Sequence, residues 1–136
     1  MIEHVTPEQV WAVLAQTPRA ALCDVRTEPE WRFVGIPDLG PLGRAVLLIS
    51  WQVYPEMAIA TDFCDQLRAA GGDPAAPLFF LCRSGVRSLA AAEAAAEAGF
   101  AHCFNVSDGF EGPLDGAHRR GQRGGWKAAG LPWRQT

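Results

Sequence analysis

The stretch Leu78-Phe79-Phe80-Leu81-Cys82-Arg83-Ser84-Gly85-Val86-Arg87-Ser88 decides how this chain is read. An uninterrupted apolar run ends in a thiol, turns through Arg83, Ser84 and Gly85, and enters an Ala-rich stretch that stops before Gly99. A run that is apolar on both faces suits a strand buried in a parallel sheet. The Ala-rich stretch has the length of a crossover helix. The segment therefore predicts a strand over Pro77–Leu81, a short loop, and a helix from Val86 to Ala98.

The same alternation continues on both sides. Upstream, Glu3–Val5 reads as a strand. Thr6-Pro7-Glu8-Gln9 carries an N-cap, a proline at the first helical position and a capping-box amide, opening a helix from Pro7 to Gln16. A buried strand over Ala20–Val25 and a short helix over Pro29–Phe33, capped by Thr27 or Glu28, come next. After a Gly/Pro-rich turn, Gly35 to Gly43, a strand is predicted over Ala45–Ile49. A loop follows over residues 50–55, then a helix from Pro55 to Ala70 halted by Gly71-Gly72. Downstream of the deciding stretch, Ala101–Val106 is a fifth strand. Gly and polar residues fill 107–125, and a short helix runs from Gly125 to Ala129. Strands separated by helix-length segments make βαβ units, so the expected fold class is α/β. Five mostly parallel strands with helices on both faces form one domain over residues 1–136.

Composition narrows the function. The chain has 136 residues, a formal charge of −3, and 49% hydrophobic residues, which is enough for a packed core. Only Lys127 is a lysine, and 15 acids outnumber 12 bases. That balance is the wrong sign for a dedicated nucleic-acid or anionic-membrane partner. No apolar run approaches the roughly 20 residues that span a bilayer, and Met1-Ile2-Glu3-His4 does not look like a secretory signal. Four separated cysteines, Cys23, Cys64, Cys82 and Cys103, contain no C-x-x-C pair. They read as reduced thiols of a cytoplasmic protein, with neither a disulfide framework nor a metal site. No cofactor is expected.

Cys82 stands apart from the other three. Cys23 and Cys103 lie inside apolar strand patterns, and Cys64 neighbours Phe63 and Leu67, as structural thiols do. Cys82 instead sits at a strand's carboxyl end, before a helix start whose N–H groups have no intrahelical partner. Gly85 allows the tight turn, and Arg83 and Arg87 add permanent charge. Such surroundings favour a reactive thiolate.

Cys82-Arg83-Ser84-Gly85-Val86-Arg87-Ser88 resembles the active-site loop of rhodanese-like sulfurtransferases. Cys23-Asp24-Val25-Arg26 with Glu30-Trp31 resembles the family's upstream motif. Gly99-Phe100, Asn105-Val106, Gly109, Trp126 and Gly130-Leu131-Pro132 resemble its last third. The resemblance implies a three-layer rhodanese-like fold and a catalytic Cys82. That thiol would take a sulfane sulfur from an anionic donor such as thiosulfate as a persulfide. It would then yield the sulfur to a thiol or cyanide-like acceptor, or to a protein acceptor, in a ping-pong course. Arg83, Ser84, Gly85, Val86 and Arg87 are the implied substrate-binding residues, Arg87 the closer contact and Arg83 either a second one or turned outward to steer anions or dock a partner. Related phosphatases and arsenate reductases place five residues between cysteine and arginine. Here four intervene, so the loop suits one sulfur atom better than a tetrahedral oxyanion.

Asp24 and Arg26 are expected to brace the site, Arg26 pairing with Glu30 and Asp24 bonding to loops. Trp51 and Tyr54 could wall the pocket or pack, whereas Trp11, Trp31, Trp126 and Trp133 read as packing anchors. Where many relatives have Gly-His-Ile-Pro-Gly, this chain has Val34-Gly35-Ile36-Pro37-Asp38. The stretch 107–125 is longer than usual and reads either as a solvated insertion or as a lid or docking surface. Two other readings stand beside catalysis: a non-enzymatic persulfide carrier or regulatory binding module, and a redox protein pairing Cys82 with Cys23 or Cys103.

Overall fold

In the computed structural model, which describes residues 1–136, the hydrophobic run at the centre of the chain becomes the centre of the fold. Strands β1 (Glu3–Val5), β2 (Ala21–Asp24), β4 (Leu47–Leu48), β7 (Pro77–Leu81) and β8 (His102–Val106) form one sheet. Its order is β1-β8-β7-β2-β4, and every pairing is parallel. The expected α/β class holds, and the central sheet is parallel throughout. The antiparallel pairs lie outside this sheet. They join β3 (Ile36–Pro37) to β9 (Trp133–Arg134), and β5 (Gln52–Val53) to β6 (Ala58–Ile59).

Period-2 alternation in β7 sends side chains to two cores. Leu78 and Phe80 pack with α3 (Phe63–Ala69) and α4 (Val86–Glu97) through Phe63, Leu67, Ala91, Ala92 and Ala95. Phe79 and Leu81 pack with α1 (Pro7–Gln16) and α5 (Gly125–Ala128) through Val10, Leu14 and Trp126. The sheet is therefore a middle layer. Alanines on the buried face of α4 let its backbone lie close to β7 and β8. Thr6 closes the expected capping box with Gln9 at the start of α1. Thr27 does the same with Glu30 at the start of α2 (Glu28–Phe33).

Two elements differ from the sequence reading by more than one residue at an end. Strand β4 is confined to Leu47–Leu48, and the helix expected from Pro55 begins only at Phe63. Residues 52–59 instead form a hairpin, with Gln52 opposite Ile59 and Val53 opposite Ala58. Trp51 accepts the Ala60 N–H at 2.8 Å, and Gln52 Nε2 donates to Met57 O at 3.1 Å. Ala, Met and Glu are good helix formers, but tertiary and cross-strand bonds override that weak preference. The usable signal was Asp62, standing just before the first apolar residue of the true helix.

Trp126 is fully buried, and Trp11 meets it edge-on. Trp51 packs edge-on against Phe63 and joins the core, while Tyr54 stays exposed. Trp133 is 41% exposed and is an anchor only on one face, where Lys127 Nζ lies 3.9 Å over its ring.

Candidate active site

Cys82 lies at the carboxyl end of β7, the middle strand, where loops gather in an open parallel sheet. Its side chain is 1% exposed. Gly85, at φ 109°, turns the backbone so that its N–H donates to Cys82 Sγ at 3.1 Å and α4 begins at the next residue. Ser88 Oγ lies 3.2 Å from the same sulfur. Val86 is 78% exposed, and Arg83 also faces solvent. Ser84 is half-buried. The loop therefore presents its backbone to the sulfur and its longer side chains to the exterior.

Arg87 is positioned by an interaction the sequence reading assigned elsewhere. Its Nη1 and Nη2 bond Glu30 Oε1 and Oε2 at 2.7 and 3.0 Å. The expected Arg26–Glu30 pair is not formed. Glu30 sits in the first turn of α2, which points it at the start of α4, and Thr27 also donates to it through N and Oγ1. Burial would push the Glu30 carboxyl up, but the Arg87 guanidinium holds it below the usual carboxylate range. Arg87 in turn is pushed up, chiefly by that hydrogen bond, against a burial that would lower it and with smaller help from the charges of Glu30, Cys82 and Asp24. The cation beside the thiol thus arrives partly neutralised.

Arg26 pairs with Asp24 instead, because both leave the end of β2 on one side of the chain. Asp24 Oδ1 accepts from Arg26 N at 3.1 Å and Nε at 3.0 Å, and Oδ2 accepts from Nη2 at 2.7 Å. Nη2 also donates to Gly35 O at 2.7 Å. Both residues are fully buried. The guanidinium lies 4.2 Å over the Phe110 ring, whose π face favours a cation, and Nη1 has no hydrogen-bond partner.

Phe110 connects this buried pair to the thiol loop. Its N–H donates to Cys82 O at 2.8 Å, while Glu111 and Gly112 N–H donate to Arg83 O at 3.0 and 3.1 Å. The first part of the 107–125 stretch is therefore a clamp on the loop and not a solvated insertion. Beyond it, Leu114 and Gly116–Arg119 are exposed. Arg120 returns, donating from Nη1 to Gly112 O at 2.8 Å. Glu30, Val34, Met57, Arg83, Arg87, Glu111 and Arg120 line a concavity of about 490 Å³ at the mouth. Met57 reaches it from the β5–β6 hairpin.

Several residues of the site escaped the sequence reading. In the sequence Ser88 and Asn105 are only letters of a motif, and local spacing hands Glu30 to Arg26 instead of Arg87. Met57 and Arg120 carry no local signal, since only the hairpin and the returning loop bring them here. The remaining cysteines behave as structural thiols. Burial pushes Cys23 and Cys64 up, and Cys103 up to about 11.

Comparison with known proteins agrees with this architecture. The M. tuberculosis protein Rv0390, seen in a crystal structure, is 49% identical, with 98% of each chain covered and a TM-score of 0.90. A protein of Rickettsia conorii, RC0915, is 38% identical over 133 residues, 97% of each chain. The homodimeric polysulfide-sulfur transferase of Wolinella succinogenes shares the fold at 21% identity and a TM-score of 0.64, with 99% of this chain and 80% of that one covered. The rhodanese-like domain pattern matches residues 6–113, from the N-cap of α1 to the clamp on the thiol loop, and this chain belongs to that family.

Proposed function

We propose that this protein is a sulfurtransferase that carries a sulfane sulfur as a persulfide on Cys82. The observation that carries the reading is the Cys82 thiol at the end of the central strand. A loop N–H reaches its sulfur, and Arg87, in the first turn of α4, lines the concavity beside the loop. The thiolate would attack the outer sulfur of an anionic donor such as thiosulfate. The donor's sulfur–sulfur bond breaks, and sulfite leaves with the electron pair. Loop N–H groups would hold the terminal persulfide sulfur, while Arg87 and Arg83 offset charge on the donor and leaving group. A thiol or other thiophilic acceptor then attacks the persulfide and frees Cys82. The mouth is wide enough for a small acceptor or for the tip of a protein acceptor's chain.

Intact-mass spectrometry after incubation with thiosulfate tests the reading. One added sulfur is expected, released by a thiol acceptor and absent in Cys82→Ser. Failure of the wild-type protein to gain sulfur from thiosulfate or polysulfide would overturn it. Multiple turnovers with donor and acceptor separate an enzyme from a carrier that loads once.

A further inference from the structure

Behind Cys82 lies a chain of polar side chains for which sulfur transfer as outlined has no use. Ser88 is 0% exposed and Asn105 2%, and Asn105 is paired in register with His4 on the edge strand. Chemistry fixes which way the Asn105 amide points. Gly85 O, 3.0 Å from Nδ2, is a carbonyl that can only accept, so the NH2 group must face it. The second amide hydrogen faces His4 Nδ1 at 3.2 Å, which accepts it when that nitrogen carries no proton. Asn105 Oδ1 then faces Ser88 Oγ at 2.6 Å and can only accept. Ser88 has one hydroxyl hydrogen, and the shorter contact claims it.

That leaves lone pairs of Ser88 Oγ turned toward Cys82 Sγ, 3.2 Å away. A thiol fits this arrangement, because its S–H can donate to Oγ. A thiolate keeps the Gly85 N–H but has no donor on the Ser88 side. Either it faces the hydroxyl lone pairs, or it draws the hydrogen across and leaves the buried Asn105 Oδ1 unpaired. The inner sulfur of a persulfide carries neither a proton nor a full charge, so the Ser88–Asn105 bond survives there.

We propose that Asn105 is a positioning residue. By holding the only hydroxyl hydrogen of Ser88, it raises the cost of the free Cys82 thiolate relative to the thiol and the persulfide. The site then favours keeping its sulfur until an acceptor arrives. The proposal rests on Cys82 as the nucleophile. In the ionisation concerned, the S–H bond breaks, the proton passes to the medium and the electron pair stays on sulfur. The other charges facing the thiol are Arg87 of α4 with Glu30 of α2, Asp24 and Arg26 at the end of β2, and Arg83 of the loop.

The test is the pH dependence of Cys82 alkylation by iodoacetamide, followed by peptide mass in wild type, Ser88→Ala, Asn105→Ala and the double variant. In Asn105→Ala, Ser88 is free to donate to the thiolate, and the pH of half-maximal rate should fall by about one unit. Removing Ser88 should then have opposite signs in the two backgrounds. It should lower that pH when Asn105 is present and raise it when Asn105 is absent. A rise in both backgrounds, or no shift in Asn105→Ala, would overturn the proposal. If Asn105→Ala does not melt cooperatively, Ser88→Ala alone decides: a fall supports the proposal, and a rise or no change overturns it. Alkylation reports ionisation whether or not sulfur is transferred, so this outcome is independent of the thiosulfate experiment.

Discussion

At the scale of single residues, the site is governed by which partner each charge finds first. Glu30 takes Arg87, so the cation proposed to meet the anionic donor is already engaged by a carboxylate. Glu30→Gln should therefore lower the KM for thiosulfate severalfold in steady-state assays, by releasing Arg87. The same variant should cost about 1–2 kcal/mol of stability near neutral pH, since the two side chains are only 21% and 18% exposed. The sign with pH follows from the depressed Glu30 carboxyl. Its stabilisation is complete above the ordinary carboxylate range and disappears as pH falls through the lowered folded value. Denaturant melts of wild type and Glu30→Gln should thus converge in acid and separate at neutral pH. Thiol selectivity belongs at this scale too. With Cys23, Cys64 and Cys103 all pushed up by burial, brief iodoacetamide treatment of the native protein near neutral pH should give a single adduct, on Cys82. A peptide map with a second adduct of comparable yield would contradict that.

Between elements, the clamp formed by residues 109–112 holds the loop after β7 in shape, and its backbone must come very close. Gly109 has φ +60°, and a Cβ there would overlap Cys82 O and the Arg83 carbonyl. No side chain can be accommodated without moving the loop. Gly109→Ala should destabilise the fold by about 2–4 kcal/mol, read by thermal melting. It should also abolish sulfur loading even in protein that remains folded, because Cys82 and Gly85 are carried by the displaced backbone. Retention of a full persulfide yield would show that the clamp does not set loop geometry. The misjudged helix at Pro55 is instructive here. Residues 55–62 lack the spaced apolar stripe that makes α1 legible, and cross-strand bonds decided their conformation. That hairpin supplies Met57 to the mouth, so an error in secondary structure became an omission from the site.

Over the whole molecule, charge is distributed against the bulk value. The chain carries −3, yet the mouth collects Arg83, Arg87 and Arg120 against Glu30 and Glu111, three cations and two carboxylates. A local excess of one positive charge is weak steering for a dianionic donor. kcat/KM for thiosulfate should change by less than about threefold when ionic strength rises across the physiological range. A tenfold fall would mean that a larger field guides the donor. No helix is long and apolar enough to cross a membrane.

The α/β alternation, the capping boxes of α1 and α2, the strand before Cys82 and the helix after it were all legible from the residues. Each rests on interactions within a few positions of the chain: side-chain periodicity, a cap three residues away, a glycine at a turn. The candidate nucleophile stood out for the same reason, since Cys82, Gly85 and Arg87 are neighbours. Partners separated by many residues depended on the tertiary structure. Arg87 and Glu30 are 57 positions apart, and Ser88 meets Asn105 across 17. Arg26 could have reached either Asp24 or Glu30 by local reasoning. Only the direction in which α2 leaves β2 gave Glu30 to α4 and left Asp24 to Arg26. The chain's own order thus determined what chemistry is present, while the packing of its layers decided which charges and hydrogens remain free to perform it.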